Sequence, residues 1–368
     1  MDYKSALLDA LQTLKKRELA QKAPFKARAY DTVLRQLEQL PGPILALTDL
    51  HGIKGMGEKI REKVEEIFAT GRLRAAEQAK ANPALSAHET LQGVYGVGPA
   101  KAAELIQQGI TSIAALREAL KETPSLLHDK QRIGLHYYED LLQRIPRNEM
   151  AEHERLLLQD SPFASELVGS YRRGVQTSGD IDVLLRVERH QTEEDAKSMF
   201  DSFVQRLVHK GYIKAVLALG DHKCMAICSL GPDTPARRLD LLLTPYKEYP
   251  FALLYFTGSD RFNVAVRQRA LERGYTLNEH RLTSLKASAN PAPPIFCVEQ
   301  DIFHFLDLAY VSPSQRMDVT SLTELHPLLP PASSPSSPSS PSSSSPSSGL
   351  RMRRPVAAKA PSPTPSKA

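Results

Sequence analysis

Two apolar stretches of this chain carry carboxylates where a buried strand would ordinarily carry none. The first, GDIDVLL, sets Asp180 and Asp182 at the head of a run that continues into Val183, Leu184 and Leu185. The second, RRLDLLL, sets Asp240 in the middle of another. Burying a carboxylate is unfavourable unless it is paired or holds a cation. Side chains at i and i+2 of a strand share a face, so Asp180 and Asp182 point the same way. If the Asp240 strand lies beside theirs, three carboxylates converge on an oxygen cage that suits hard divalent cations such as magnesium. Two such ions can clamp the attacking hydroxyl and the leaving phosphate of a phosphoryl transfer.

The segment ahead of the first pair, GSYRRGVQTS, carries glycines, the Ser170 hydroxyl, Arg172 and Arg173. Backbone amides, a hydroxyl and guanidinium forks suit a triphosphate, and arginine binds phosphate bidentately. A lone Asp-x-Asp marks many turns and single ion sites. Loop, pair and distant third aspartate together favour nucleotidyl transfer over aspartates that merely cap a turn.

Residues 1–80 read as short helices, with apolar residues at helical spacing in Ser5–Leu19 and Tyr30–Leu40. Gly55 and Gly57 form a tight turn before a helix from Glu58, with Gly71 as its C-terminal cap. The pattern recurs at Gly96 and Gly98, again ahead of a helix. Such glycine turns let a backbone approach a phosphate, and free amides at the helix start face the anion. Two copies favour a grip on a nucleic-acid backbone without sequence reading. From Val168 the period changes to strands at Asp180–Val187, Lys214–Leu219 and Arg238–Leu243, with a helix near Glu194–His209, an α/β layer. A smaller mixed region follows Leu253 and ends in a helix over Asp301–Tyr310. The Ser/Pro-rich basic tail, residues 319–368, is too polar to bury a core and is expected to be disordered.

Charge separates the tail from the body. Five of the 47 Lys and Arg residues lie in 331–368, which has no acid, so the other 42 balance the 42 acidic residues. Net charge is therefore no argument for a nucleic-acid partner, although residues 1–80 are locally basic. Three cysteines give neither a disulfide framework nor a zinc set. No apolar run approaches the ~18 residues of a membrane span. Asp2, Asp9 and Glu18 weaken a transit-peptide reading of the N-terminus. The nucleus is the expected compartment, with the mitochondrion as alternative.

GSYRRGVQTSGDIDVLL, RRLDLLL, QRIGLHYYEDLLQRIPRNEM and LLYFTGSDRFNVAVRQRALERGYTLNEH together resemble the family X DNA polymerases of the beta type. The resemblance runs from about Lys22 to Arg316. It implies a multidomain α+β fold. An N-terminal all-α helix-hairpin-helix lyase domain over 1–80 and a DNA-binding helix-hairpin-helix subdomain over 81–143 would come first. A nucleotidyltransferase-type α/β palm over 144–250 and a nucleotide-selection subdomain over 251–318 would follow. Asp180 and Asp182 would ligate two magnesium ions, for which manganese can substitute, and Asp240 the catalytic one. Arg144, Gly169, Ser170, Arg173 and Gly179 would hold the triphosphate. Tyr255, Phe256 and Gly258 would meet the sugar, and Asp260 and Asn263 the base. Lys223, Arg238 and Arg267 would contact DNA. Gln92, Val94 and Val97 would ligate a monovalent ion, sodium or potassium, through main-chain carbonyls. Lys63 would be the Schiff-base nucleophile of a 5′-deoxyribose phosphate lyase, holding the 5′-phosphate together with Lys26 and Lys59, with Tyr30 and Glu62 at supporting positions.

The resemblance further implies a monomer acting on gapped or nicked double-stranded DNA with deoxynucleoside triphosphates, beside other base-excision repair proteins and away from membranes. The chain departs from the family pattern at Ala75, His51 and Phe25, and at Leu242 and Val264, where arginine and lysine are usual. A template-independent transferase and a non-catalytic DNA-end-binding module are the competing readings. Absence of a long loop between the palm strands argues against the first. Three retained carboxylates argue against the second.

Overall fold

The amphipathic spacing of the first 80 residues produces four helices, Lys4–Ala20, Pro24–Gln39, Glu58–Thr70 and Arg74–Lys80. The computed structural model describes residues 2–21, 23–40, 42–285 and 292–317 of the chain. Leu7, Leu11, Leu14, Val33, Leu37 and Val64 meet in one core. Each fully buried side chain of this kind contributes about 1.5–3 kcal/mol. Gly71 ends the third helix in the left-handed conformation (φ 76°), its N–H donating to the Ile67 carbonyl at 2.8 Å. Helices Pro83–Gln92, Pro99–Gln107, Ile113–Glu122 and Asp129–His136 pack around Leu91, Val94, Leu105 and Leu116 as a second core.

The strands follow in chain order: β1 (Ile145–Pro146), β2 (Ala164–Leu167), β3 (Thr177–Ser178), β4 (Ile181–Arg186), β5 (Ile213–Leu219), β6 (Lys223–Cys228), β7 (Arg237–Thr244), β8 (Tyr275–Leu277) and β9 (Leu282–Ser284). Five of them form one sheet in the order β2-β4-β7-β6-β5. β4 and β7 run parallel, and Asp182 stands in register with Asp240. Alternation then gives the sheet two chemical faces. Ile181, Val183, Leu185, Leu239, Leu241 and Leu243 join Phe200, Phe203 and Leu207 of the helix Glu193–His209 in the largest core. The other face carries the three aspartates, and farther along it Leu184 and Leu242 meet Ala252 and Leu253.

Arg237, at the start of β7, is buried. It forks onto Glu149 at 2.6 and 2.9 Å and donates to the Gln143 carbonyl at 3.1 Å. That fixes the linker leading to Arg144. Three further helices, Tyr249–Thr257, Asp260–Glu272 and Glu299–Phe305, and the β8–β9 hairpin enclose Phe262, Tyr275, Phe303 and Leu306.

The structure corrects two expectations. β2 and β6 are additional strands, so the sheet is wider than the three runs read from sequence. The last helix is Glu299–Phe305 rather than Asp301–Tyr310, because Asp307 takes a positive φ of 51° that ends helical geometry. The tail 319–368 lies outside the described residues. Among those described, no helix is long and apolar enough to cross a membrane.

Candidate active site

The turn before β4 and the start of β7 bring the site together. Asp180 and Asp182 flank the first residue of β4, and Asp240 faces Asp182 across the parallel pair. Burial, then the charges of Asp180 and Asp240, push the Asp182 carboxyl up to about 7. Gly169 packs against it from the loop: a Cβ there would lie 2.8 Å from Asp182 Oδ2, and its φ of 63° favours glycine. The neighbouring carboxylates have cations. Arg238 donates to Asp180, and Lys223 pairs with Asp240 at 2.9 Å.

Three mutually repelling carboxylates in an apolar sheet are the donor set of a hard dication, and two of their oxygens already attract cationic side chains. The residues therefore fit magnesium or manganese by chemistry. Among the described residues no three acidic, histidine or cysteine side chains close around one point; Asp180 and Asp240 are paired with Arg238 and Lys223.

Beside the aspartates opens a cleft of about 700 Å³. All ten residues assigned from sequence to the nucleotide line it, together with Asp180 and Asp182. Arg144 is steadied by the Thr177 carbonyl at 2.6 Å and its hydroxyl at 3.2 Å. The Ser170 hydroxyl donates to Ser178 Oγ at 3.0 Å. Arg173 donates to the Thr257 carbonyl at 2.6 Å, while its buried Nε has no partner. A half-buried guanidinium with an idle donor is suited to an anionic ligand. Tyr255 meets Phe256 edge-on at 5.0 Å, and Asn263 donates to the Tyr255 carbonyl at 2.7 Å. Arg267 stacks on Tyr255 at 4.9 Å and pairs with Glu279 at 3.5 Å. Sequence reasoning missed Ser259, Arg261 and Met317 on the wall of this cleft. The TGSDR segment signals the first two, whereas nothing local signals Met317.

A second pocket, about 520 Å³, gathers Lys26, Tyr30, Gly55, Gly57, Lys59 and Lys63. Lys63 donates to the Lys59 carbonyl one turn back, at 2.7 Å. Arg17 and Glu18, not foreseen, also line it. Glu18 is buried and pairs with Arg17 at 2.6 Å and with Lys26 at 3.9 Å. Burial raises the Tyr30 hydroxyl above its ordinary value, with the Glu18 charge adding to it. Gly96 and Gly98 form the second glycine turn. Gln131 donates to the Gly96 carbonyl at 2.8 Å. Gln92 ends the helix before that turn, where carbonyls run short of partners, and the Val94 and Val97 side chains are buried beside it.

Four family descriptions match successive parts of the chain. Residues 2–73 match a helix-hairpin-helix domain, and 89–142 the fingers domain of DNA polymerase lambda. Residues 144–246 match the DNA polymerase beta palm and 252–317 the DNA polymerase beta thumb. DNA polymerase lambda of Rattus norvegicus is 30% identical over 334 residues, covering 86% of this chain and 56% of the relative. DNA polymerase lambda of Arabidopsis thaliana is 28% identical over 310 residues, covering 78% and 57%. The chain thus spans little more than half the length of these relatives.

Proposed function

The chain belongs to the family X DNA polymerases, related to polymerase beta, and from that premise we propose that it is a template-directed, gap-filling DNA polymerase. It adds deoxynucleotides to a primer 3′-hydroxyl by two-metal nucleotidyl transfer in nuclear base-excision repair, and residues 1–80 add a 5′-deoxyribose phosphate lyase. The observation that carries this reading is the pairing of Asp182 with Asp240 in register beside a cleft lined by the complete nucleotide set.

Asp180 and Asp182 would hold two divalent ions and Asp240 one of them. When bound, such ions supply Lewis-acid stabilisation of the transferring phosphoryl group. Arg144 and Arg173 take the triphosphate oxygens, with Ser170 as a further donor. Tyr255 and Phe256 pack on the sugar, Asp260 and Asn263 border the base, and Arg267 tests the template side. Asp240 receives the proton of the primer hydroxyl. The glycine turns at 55–57 and 96–98 hold the DNA backbone on both sides of a gap, and the second takes a monovalent ion.

Primer extension on one-nucleotide gaps, with and without a downstream 5′-phosphate and a template base, tests the reading. Templated addition is the expected result. Template-independent addition would indicate a terminal transferase, and binding without addition an end-binding module. Gly169→Ala is expected to lower extension roughly hundredfold, because a methyl group there displaces the Asp182 carboxylate. Gap-DNA affinity measured by fluorescence anisotropy should stay unchanged. For the lyase, Lys63→Ala should abolish borohydride trapping on an incised abasic duplex. Persistent trapping would move the nucleophile to another lysine of the pocket, Lys59 or Lys26.

A further inference from the structure

Lys223 opens β6 and stands in antiparallel register with Leu242, two residues from Asp240 on the same face of β7. Diagonal neighbours of this kind lie within reach of a long side chain. The lysine uses that reach: its ammonium sits 2.9 Å from Asp240 Oδ2. Its side chain is 43% exposed against 12% for Asp240, so it links a buried carboxylate to the open surface. Arg238 pairs with Asp180, which is itself about one-third exposed, and keeps a buried Nε without a partner. Asp182 has no cation in hydrogen-bond contact among the described residues. Two side-chain cations thus serve three carboxylates.

We propose that Lys223 competes with the catalytic divalent ion for Asp240, and that DNA phosphate, by drawing Lys223 away, prepares this carboxylate for the ion. The inference rests on the reading of Asp240 as a metal ligand. A dication and an ammonium held on the same carboxylate repel one another, all the more because that carboxylate is largely shielded from water. The two cannot share the carboxylate, and the ion must expel the lysine. Without DNA the expelled ammonium has only water to face. With DNA a phosphate oxygen receives it. Binding of the ion and binding of the DNA backbone are therefore positively coupled, and the coupling is reciprocal.

The test is Mn²⁺ titration of the full chain followed by electron paramagnetic resonance. It is run with and without saturating gapped DNA whose primer ends in a dideoxynucleotide. In the parent, DNA should tighten Mn²⁺ binding. Lys223→Met should bind Mn²⁺ about tenfold more tightly than the parent without DNA and show a correspondingly smaller effect of DNA. Lys223→Arg, which keeps the charge, should behave as the parent does. Equal affinity of Lys223→Met and parent without DNA would overturn the inference. So would tighter binding with an undiminished DNA effect. Asp240→Asn separates the layers: Mn²⁺ binding unaltered by that change would overturn the metal reading beneath the inference, whatever Lys223→Met does.

Discussion

Asp182→Asn is expected to silence nucleotide addition and, in the same protein without divalent ions, to raise thermal stability. Both effects have one cause. Burial first, then the neighbouring charges of Asp180 and Asp240, lift the Asp182 carboxyl from an ordinary 3.8 to about 7. Between these values the folded protein holds a proton that the unfolded chain has released. Stability contributed at this site is therefore greatest at acid pH and is lost as pH rises through that window. Above pH 7 the ionised, half-buried carboxylate costs the fold roughly 4 kcal/mol. Asparagine has nothing to ionise.

At pH 8 in chelator, the Asp182→Asn protein should melt several degrees above the parent, and the gap should close toward pH 4. Divalent ions should stabilise the parent far more than the variant. Gap filling should fall by roughly 10³-fold or more, as when a member of an interdependent catalytic set is removed. Asp240→Ala should lose activity to the same extent while still binding gapped DNA. A variant that melts no higher than the parent at pH 8 would show that Asp182 carries no such burden.

The parts of this site that were legible in the sequence are those whose residue types are improbable where they stand. Asp180, Asp182 and Asp240 announce themselves because apolar strands have no other reason to contain them. The glycine pairs at 55–57 and 96–98 do so by repetition ahead of helices. What stayed hidden depends on pairing across the sheet. β6, KCMAIC, has residues buried on both faces, so it lacks the alternation that marks a half-buried strand. Without β6, Lys223 could be read only as a basic residue beside DNA, not as the partner of Asp240. Glu18 was likewise opaque. Its helix shows an ordinary charged surface in sequence, and only packing against Tyr30 and Lys26 turns that carboxylate into the lysine pocket. Leu242 has a plain role in the fold: it packs with Val168, Leu184 and Leu253 in an apolar cluster.

Glu299→Gln should strongly destabilise the fold. Glu299 is 2% exposed and pairs with Arg316, which is fully buried, at 3.0 and 3.1 Å. It also takes both terminal nitrogens of Arg172 at 3.2 Å and the Tyr310 hydroxyl at 2.7 Å. Burial alone would raise its carboxyl, but Arg316 and Arg172 outweigh that and hold it below the ordinary range. Glutamine keeps the shape and removes the anion, which leaves a guanidinium buried without a counter-charge. Breaking one side of a buried pair in this way costs about 3–5 kcal/mol.

Because the Glu299 carboxyl is depressed, its contribution is present above about pH 4.5 and fades as pH falls below that. The deficit of the variant in urea unfolding should therefore be largest near neutrality and shrink in acid. The effect should also reach the nucleotide. Arg172 donates to the Thr257 hydroxyl at 2.8 Å, and the Arg316 carbonyl accepts the Ser259 N–H at 3.2 Å. Those two contacts bracket Gly258 on the cleft wall. With the anion gone, Arg316 loses its counter-charge, Arg172 keeps only Glu166 at 2.6 Å, and the wall loosens. The variant should then show weaker nucleotide affinity at a temperature where it is still folded. Unchanged nucleotide affinity together with the lost stability would confine Glu299 to the scaffold and separate it from the cleft.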